Sequence, residues 1–290
     1  MFRVASLVPS PPVLVPELGG AAGAAADTEV AELRTAVLRA ARELAGQATR
    51  WIVVGADEAT RVIGSDAVGT FRGYGADVRV GLTGGSQAEN EDTDPALPLP
   101  VLIAGWLRAQ VAPAAVAVSR PATDTRLGRE PHLDTESRVD TESRVSVGAP
   151  AVGEASVVAE ARLVAADLSS AECVAFGRAL RAELDAAPEP YGVLAVGDGA
   201  ATLSTKSPRY FDERAEKVQA EIDRALAAGD RDALAALDQQ LCAELAVAGR
   251  PVFQVLAGLF AENPEVETLY AAAPFGVAYQ VSVWRPGGSA

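Results

Sequence analysis

YGVLAVGDGAATLSTKSPRYFDER, residues 191–214, joins an apolar run to a helical pattern through a small polar loop. Val193, Leu194, Ala195 and Val196 read as a buried strand that stops at Gly197, with a turn at Asp198-Gly199. Ser204, Thr205, Lys206 and Ser207 follow, and Pro208 suits the first turn of a helix over 208–228, where its missing N–H does no harm. The carboxyl ends of such strands are where open α/β sheets bind ligands. Two readings of the loop stand side by side. In one, Asp198-Gly199 is a turn and Ser207 caps the helix. In the other, the free N–H groups of the helix, reinforced by Lys206, hold an anion or small ligand beside Asp198.

Working outward, the same rhythm of strand, loop and helix recurs. FRVASLV (2–8) is a first strand, and PSPPVLVPELGG after it reads as a loop, because proline removes donors and restricts its neighbours. A helix is expected from Asp27, with Val30, Leu33, Val37 and Leu44 at helical spacing. WIVVGAD (51–57) reads as a fully buried parallel strand, and Asp57 closes it at a strand end comparable to that of Asp198. DVRVGL and Ala114 to Ser119 are further strands, Leu97 to Gln110 a helix, and the acidic run from Glu89 to Asp94 a solvated loop without calcium-loop spacing.

Residues 120–152 are polar, and the hexamer DTESRV occurs twice in tandem there, as a disordered or expanded surface loop would allow. Beyond them, SVVAEARLVA is a strand, and Ser169 with Glu172 has the spacing of a capping box. Helices at 208–228 and 230–248 are separated by Gly229-Asp230, Pro251 starts another, and VETLYAAA and VAYQVSVW close the chain as strands. The pattern implies an α/β fold, a mixed and largely parallel sheet covered by helices on both faces. With no Gly/Ser linker between large halves, one domain over 1–290 is expected.

Composition narrows the chemistry. Lys and Arg number 25 against 39 Asp and Glu, a formal charge of −14, which argues against nucleic acid and anionic membrane as partners. No apolar run approaches the roughly 20 residues of a membrane span. The Pro-rich, charged start reads as mature protein and not as a signal peptide. Cys173 and Cys242 sit at apolar helical positions, as packed thiols of a reduced, cytoplasmic protein do. The single histidine, His132, lies beside the duplicated hexamer, so mechanisms needing two histidines are excluded. Dinucleotide, P-loop, zinc-protease and C-x-x-C motifs are absent.

VPSPPVLVPELGG, WIVVGAD, LAVGDGAATLSTKSPRYFDERA, ELAVAGRPVFQVLAGL and APFGVAYQVSVW together carry a resemblance that spans nearly the whole chain. In their order and spacing the chain resembles the class III extradiol ring-cleavage dioxygenases (LigB-like), the superfamily of the protocatechuate 4,5-dioxygenase catalytic subunit and the Memo proteins, and most of all an uncharacterised actinobacterial branch. The resemblance implies a mixed α/β domain in which ferrous iron, held by two histidines and a glutamate, opens a catechol ring with dioxygen. It also implies a possible homo-oligomer.

Position by position, the implied ligands are missing. Ser10 stands where a histidine of the proline-rich loop belongs, Asp57 stands at or near the second ligand position, Ala201 replaces the histidine of a G-D-L-S-H-like pattern, and the metal-binding glutamate falls near Val247. A triad of two histidines and a carboxylate cannot be built from one histidine. The expectation is therefore a dioxygenase-like protein without its iron site or any cofactor, binding a small molecule or an anion at a cleft drawn from Ser10, Glu17, Asp57, Asp198, Ala201 and Lys206. The alternatives are an active ring-opening dioxygenase with atypical metal ligands, its ferrous iron implied by the resemblance; a carboxylate-only site of Glu17, Asp57 and Asp198 holding magnesium or calcium; and a protein-interaction role without a pocket.

Overall fold

In the computed structural model, which describes residues 1–19, 28–84, 93–111 and 156–287, the apolar runs become strands. In chain order these are β1 (Phe2–Val8), β2 (Arg50–Asp57), β3 (Arg61–Ile63), β4 (Val68–Thr70), β5 (Arg79–Gly81), β6 (Val158–Ala165), β7 (Tyr191–Val196), β8 (Glu265–Ala272) and β9 (Tyr279–Arg285). The α-helices are α1 (Thr28–Gln47), α2 (Leu99–Val111), α3 (Ser170–Ala186), α4 (Ala215–Ala228), α5 (Arg231–Ala235), α6 (Gln239–Glu244) and α7 (Arg250–Leu259). The described residues belong to one unit spanning Met1–Ala112 and Ser156–Ala290.

Seven strands form one mixed sheet in the order β3-β6-β2-β7-β1-β9-β8, while β4 and β5 make a separate ribbon. The four central strands, β6, β2, β7 and β1, are parallel. The outer ones, β3, β9 and β8, are antiparallel to their neighbours. Period-2 alternation sends successive side chains to opposite faces. Val53, Leu194, Val196 and Val281 pack in a core with α1 and α2. Ile52, Val54, Val193 and Ala195 pack in a second core with α3, α4 and α7. In β1 the parity changes: Phe2, Ala5 and Leu7 share the second core and Val4 and Val8 the first. A register shift between Phe2 and Val4 supplies the odd residue.

Parallel pairing puts four strand ends on one edge of the sheet. Val8 and Gly55 both sit opposite Val196, and Asp57 sits opposite Ala165. The chain leaving β2 runs to one side, toward β3 and β6, and the chain leaving β7 runs the other way, toward β8 and β9. That reversal is the switch point at which such sheets open a crevice.

Several expectations are corrected. The proline-rich loop contains two 3-10 turns, Pro12–Leu14 and Pro16–Leu18, since proline's fixed φ suits a tight turn even where it bars a long helix. The helix expected from Pro208 begins at Ala215, because the preceding residues are bonded elsewhere: Ser207 Oγ donates to the Gly276 carbonyl (2.8 Å) and the Asp212 N–H to the Thr202 carbonyl (3.0 Å). The helix expected at 230–248 is two short ones, because Asp238 stops the first and caps the next by accepting from the Leu241 N–H at 2.7 Å. The Ser169–Glu172 capping box is present. The strand expected at Ala114 to Ser119, the stretch 120–152 and His132 lie outside the described residues.

α7 is buried all round. It crosses α3 so closely that a Cβ on Gly177 would meet the Val255 carbonyl and one on Gly258 the Val174 carbonyl. This contact fixes where the amino end of α7 points, and hence where Arg250 lies.

Candidate functional site at the strand ends

Asp198 follows β7 at the switch point, and both of its carboxylate oxygens are taken by one residue. The Ser10 N–H donates to Oδ1 at 2.8 Å and the Ser10 hydroxyl to Oδ2 at 2.6 Å. The Asp198 carbonyl accepts the Gly249 N–H at 2.7 Å. The residue thus ties the loop after β1 and the start of α7 to the end of β7. Burial pushes its carboxyl above the usual range, and the two Ser10 hydrogen bonds oppose that rise. The buried phenol of Tyr279 is pushed up as well, first by burial and then by the charge of Asp198.

The other expected site residues do not join this pair. Asp57 takes the Arg61 Nε at 2.7 Å, one turn along its own loop. Glu17 is exposed on the second 3-10 turn. Lys206 is exposed too, on a loop stitched internally by Ser204 and Ser207. No helix starts at that loop, so the anion cradle expected there does not form. Ala201 donates its N–H to the Leu245 carbonyl (3.2 Å) and faces a different cleft.

The donor set does not fit the iron implied by the resemblance. Ser10 and Asp198 are hydrogen-bonded to each other, Ala201 and the buried Val247 carry no ligand atom on their side chains, and Asp57 is paired with Arg61. Among the described residues no group of three or more His, Cys, Asp or Glu side chains could hold a metal ion.

The cleft that Ala201 faces has a volume of ≈ 830 Å³ and lies beyond the carboxyl ends of β6 and β7. Its walls come from the turn after β6, the loop after β7, α6 and the amino end of α7. At its base is Arg250, only 2% exposed. The guanidinium donates through Nη1 to Gln254 Oε1 (2.8 Å) and through Nη2 to the Ala166 carbonyl (2.7 Å). Both acceptors are neutral, and among the described residues no carboxylate lies within ion-pair distance of it. Gln254 is itself held, donating to Ser170 Oγ at 2.8 Å and to the Leu237 carbonyl at 3.1 Å, so the cation is fixed in place.

Cys242 also lines the cleft. Burial pushes its thiol up to about 11, the Arg250 charge opposing that rise, and raises Cys173 for the same first reason. Both are packed, protonated thiols rather than nucleophiles. On the rim, Arg214 binds Asp212 (2.7 Å) and Glu244 (2.8 Å), which brings Asp212 down to about 2. Tyr210 and Phe211 stand beside them, 98% and 55% exposed.

No family model and no curated protein matches the chain. Among solved structures it is similar to an uncharacterized protein, JW3007, from Escherichia coli K12. That similarity covers 98% of this chain and 99% of that one, at 14% identity and a TM-score of 0.46.

Sequence reasoning missed Arg250. The available signal was a lone charge directly before Pro251 in the otherwise uncharged run RPVFQVLAGL. A helix with no polar face is buried on all sides, and a charge in it must be buried too.

Proposed function

We propose that this chain is a class III extradiol dioxygenase-like protein that has lost its non-haem iron site and binds a small molecule or anion without catalysing ring opening. The observation that carries the reading is the closed Ser10–Asp198 pair. At the switch point, where the resemblance puts metal ligands, the two polar side chains satisfy each other. The serine hydroxyl bound to this carboxylate is a structural latch, and among the described residues no group of three His, Cys, Asp or Glu side chains gathers around it to hold a metal. The parallel strand ends and the adjoining cleft keep the architecture of a ligand site, and its volume lies within the roughly 300–1,000 Å³ of small-molecule pockets. The two buried free thiols suit a reducing, cytoplasmic setting.

The test is metal analysis of the purified protein together with an absorbance assay for ring opening of catechol and protocatechuate under added ferrous iron. The expected result is substoichiometric iron and no ring-opened product. Stoichiometric iron with product formation would overturn the reading in favour of an active dioxygenase with atypical ligands.

A further inference from the structure

We propose that the loop tip 209–211 and the ≈ 830 Å³ cleft beside it form a self-complementary patch through which two copies of this chain dimerise, the Tyr210 and Phe211 side chains of each copy closing the cleft of the other. The reciprocal arrangement is that of a two-fold interface, in which one patch meets itself. The pairing goes beyond the function proposed above and depends neither on the loss of iron nor on a small ligand.

The first observation is a fixed aromatic tip. Tyr210 and Phe211 are exposed, and neither packs in either core. The loop that carries them is nevertheless tied down at both ends. Before the tip, Ser207 Oγ donates to the Gly276 carbonyl and accepts the Ser204 N–H at 2.9 Å. After it, the Asp212 N–H donates to the Thr202 carbonyl and the Asp212 carboxylate is bound by Arg214. Folding holds these two rings out in water without using them, and large apolar side chains held in that way mark an interaction site. A tip already in place loses little conformational entropy on binding, which favours association.

The second observation is what shares the rim with the tip. Arg209 and Asp167 both line the cleft and both are exposed. Among the described residues neither side chain has an ion-pair or hydrogen-bond partner, whereas the other acids of the rim, Asp212 and Glu244, are both bound by Arg214. The patch thus sets a free cation and a free anion beside an aromatic knob and an apolar hollow of Ala201, Val247, Ala248 and Pro251. Each feature has its complement on the same patch, so a second copy supplies what the first lacks: rings for the hollow and Asp167 for Arg209. Two chains of net charge −14 repel at long range, and the crossed Arg209–Asp167 pairs compensate that locally. Two aromatic side chains bury roughly 150–250 Å² each, about half of the ~800 Å² that each partner of a stable interface contributes. The walls of the cleft supply the rest.

Sedimentation equilibrium of the full chain at about 1–100 μM tests this, with a concentration-dependent dimer expected. The double variant Tyr210→Ala/Phe211→Ala, altered only at exposed positions, is expected to weaken dimerisation by about tenfold or more with an unchanged melting temperature. Arg209→Asp and Asp167→Arg are each expected to weaken it too, by placing like charges at both crossings. Mixing the two single variants in equal amounts is expected to restore the dimer, since a heterodimer of them again pairs opposite charges at both crossings.

A chain that is monomeric throughout, a dimer that the aromatic variant leaves as tight as before, or single variants that do not recover on mixing would overturn the interface. A monomer that bound a small aromatic solute such as indole through Tyr210 and Phe211 would give the patch to a ligand and overturn the pairing equally. Iron analysis is a separate readout. Iron with ring opening would remove the non-catalytic reading and leave this interface standing, whereas a monomeric chain would remove the interface alone.

Discussion

At the scale of single residues, Ser10 and Asp198 show how the same atoms change meaning when seen in contact. In the sequence each marks a strand end and a place where a ligand atom is expected. In the fold they are donor and acceptor to each other at 2.6 and 2.8 Å. Because Asp198 is raised from its ordinary 3.8, the folded protein keeps that proton at a pH where the unfolded chain has lost it. This group therefore favours folding least when ionised, and stability falls as pH rises from about 4 through the raised value. Ser10→Ala removes the hydroxyl that opposes the shift, so it should carry this fall to higher pH. It should also cost about 1–3 kcal/mol at neutral pH by leaving a carboxylate oxygen unpaired. Urea midpoints measured from pH 4 to 8 check both, and a variant as stable as wild type at all pH values would count against the latch.

At the scale of elements, the segment after β7 departs most from its reading. Pro208 is a sound helix starter, yet the helix waits until Ala215 because the β8–β9 turn claims the loop. Leu203 and Ser207 both donate to the Gly276 carbonyl, and Gly276 holds φ 69°, with no room for a Cβ against Ser204 and Ser207. That partner lies about seventy residues away, beyond the reach of any local signal. The α3–α7 crossing is legible only as two glycines in apolar helices. Its role appears when Gly177 and Gly258 are seen with a backbone carbonyl where a Cβ would be. Gly258→Ala gains helix propensity but must push the helices apart, and the overpacking should dominate at about 1–3 kcal/mol. Thermal melting reads the loss.

At the scale of the whole molecule, strand order decides which side chains become neighbours. The β6-β2-β7-β1 core gathers the ends of strands from four separate parts of the chain on one edge, and the outer β9 and β8 add the turn that pins the loop. Among the described residues no helix is long and apolar enough to cross a membrane. No described carboxylate, thiol or imidazole cluster could hold a metal either, so the fold should not lean on one. Dialysis against EDTA is expected to leave the melting temperature unchanged. A drop of several degrees, restored by one divalent metal, would show a site built from other donors.

The sequence by itself determined the elements whose cause is local. Apolar runs of β-branched residues gave β1, β2, β6 and β7, the 3.6-residue spacing of Val30, Leu33, Val37 and Leu44 gave α1, and Ser169 with Glu172 gave the start of α3. It also determined, by its one histidine, that no two-histidine centre could form. Only the tertiary structure decided that Ser10 closes on Asp198, that Asp57 turns to Arg61, and that Arg250 is buried without a counter-charge, bonded instead to Gln254 and the Ala166 carbonyl. Patterning follows from interactions a few residues apart, and a single chain displays those. A hydrogen bond or an unpaired charge depends on which distant segments the sheet brings together, and that is fixed only when the strands have taken their order.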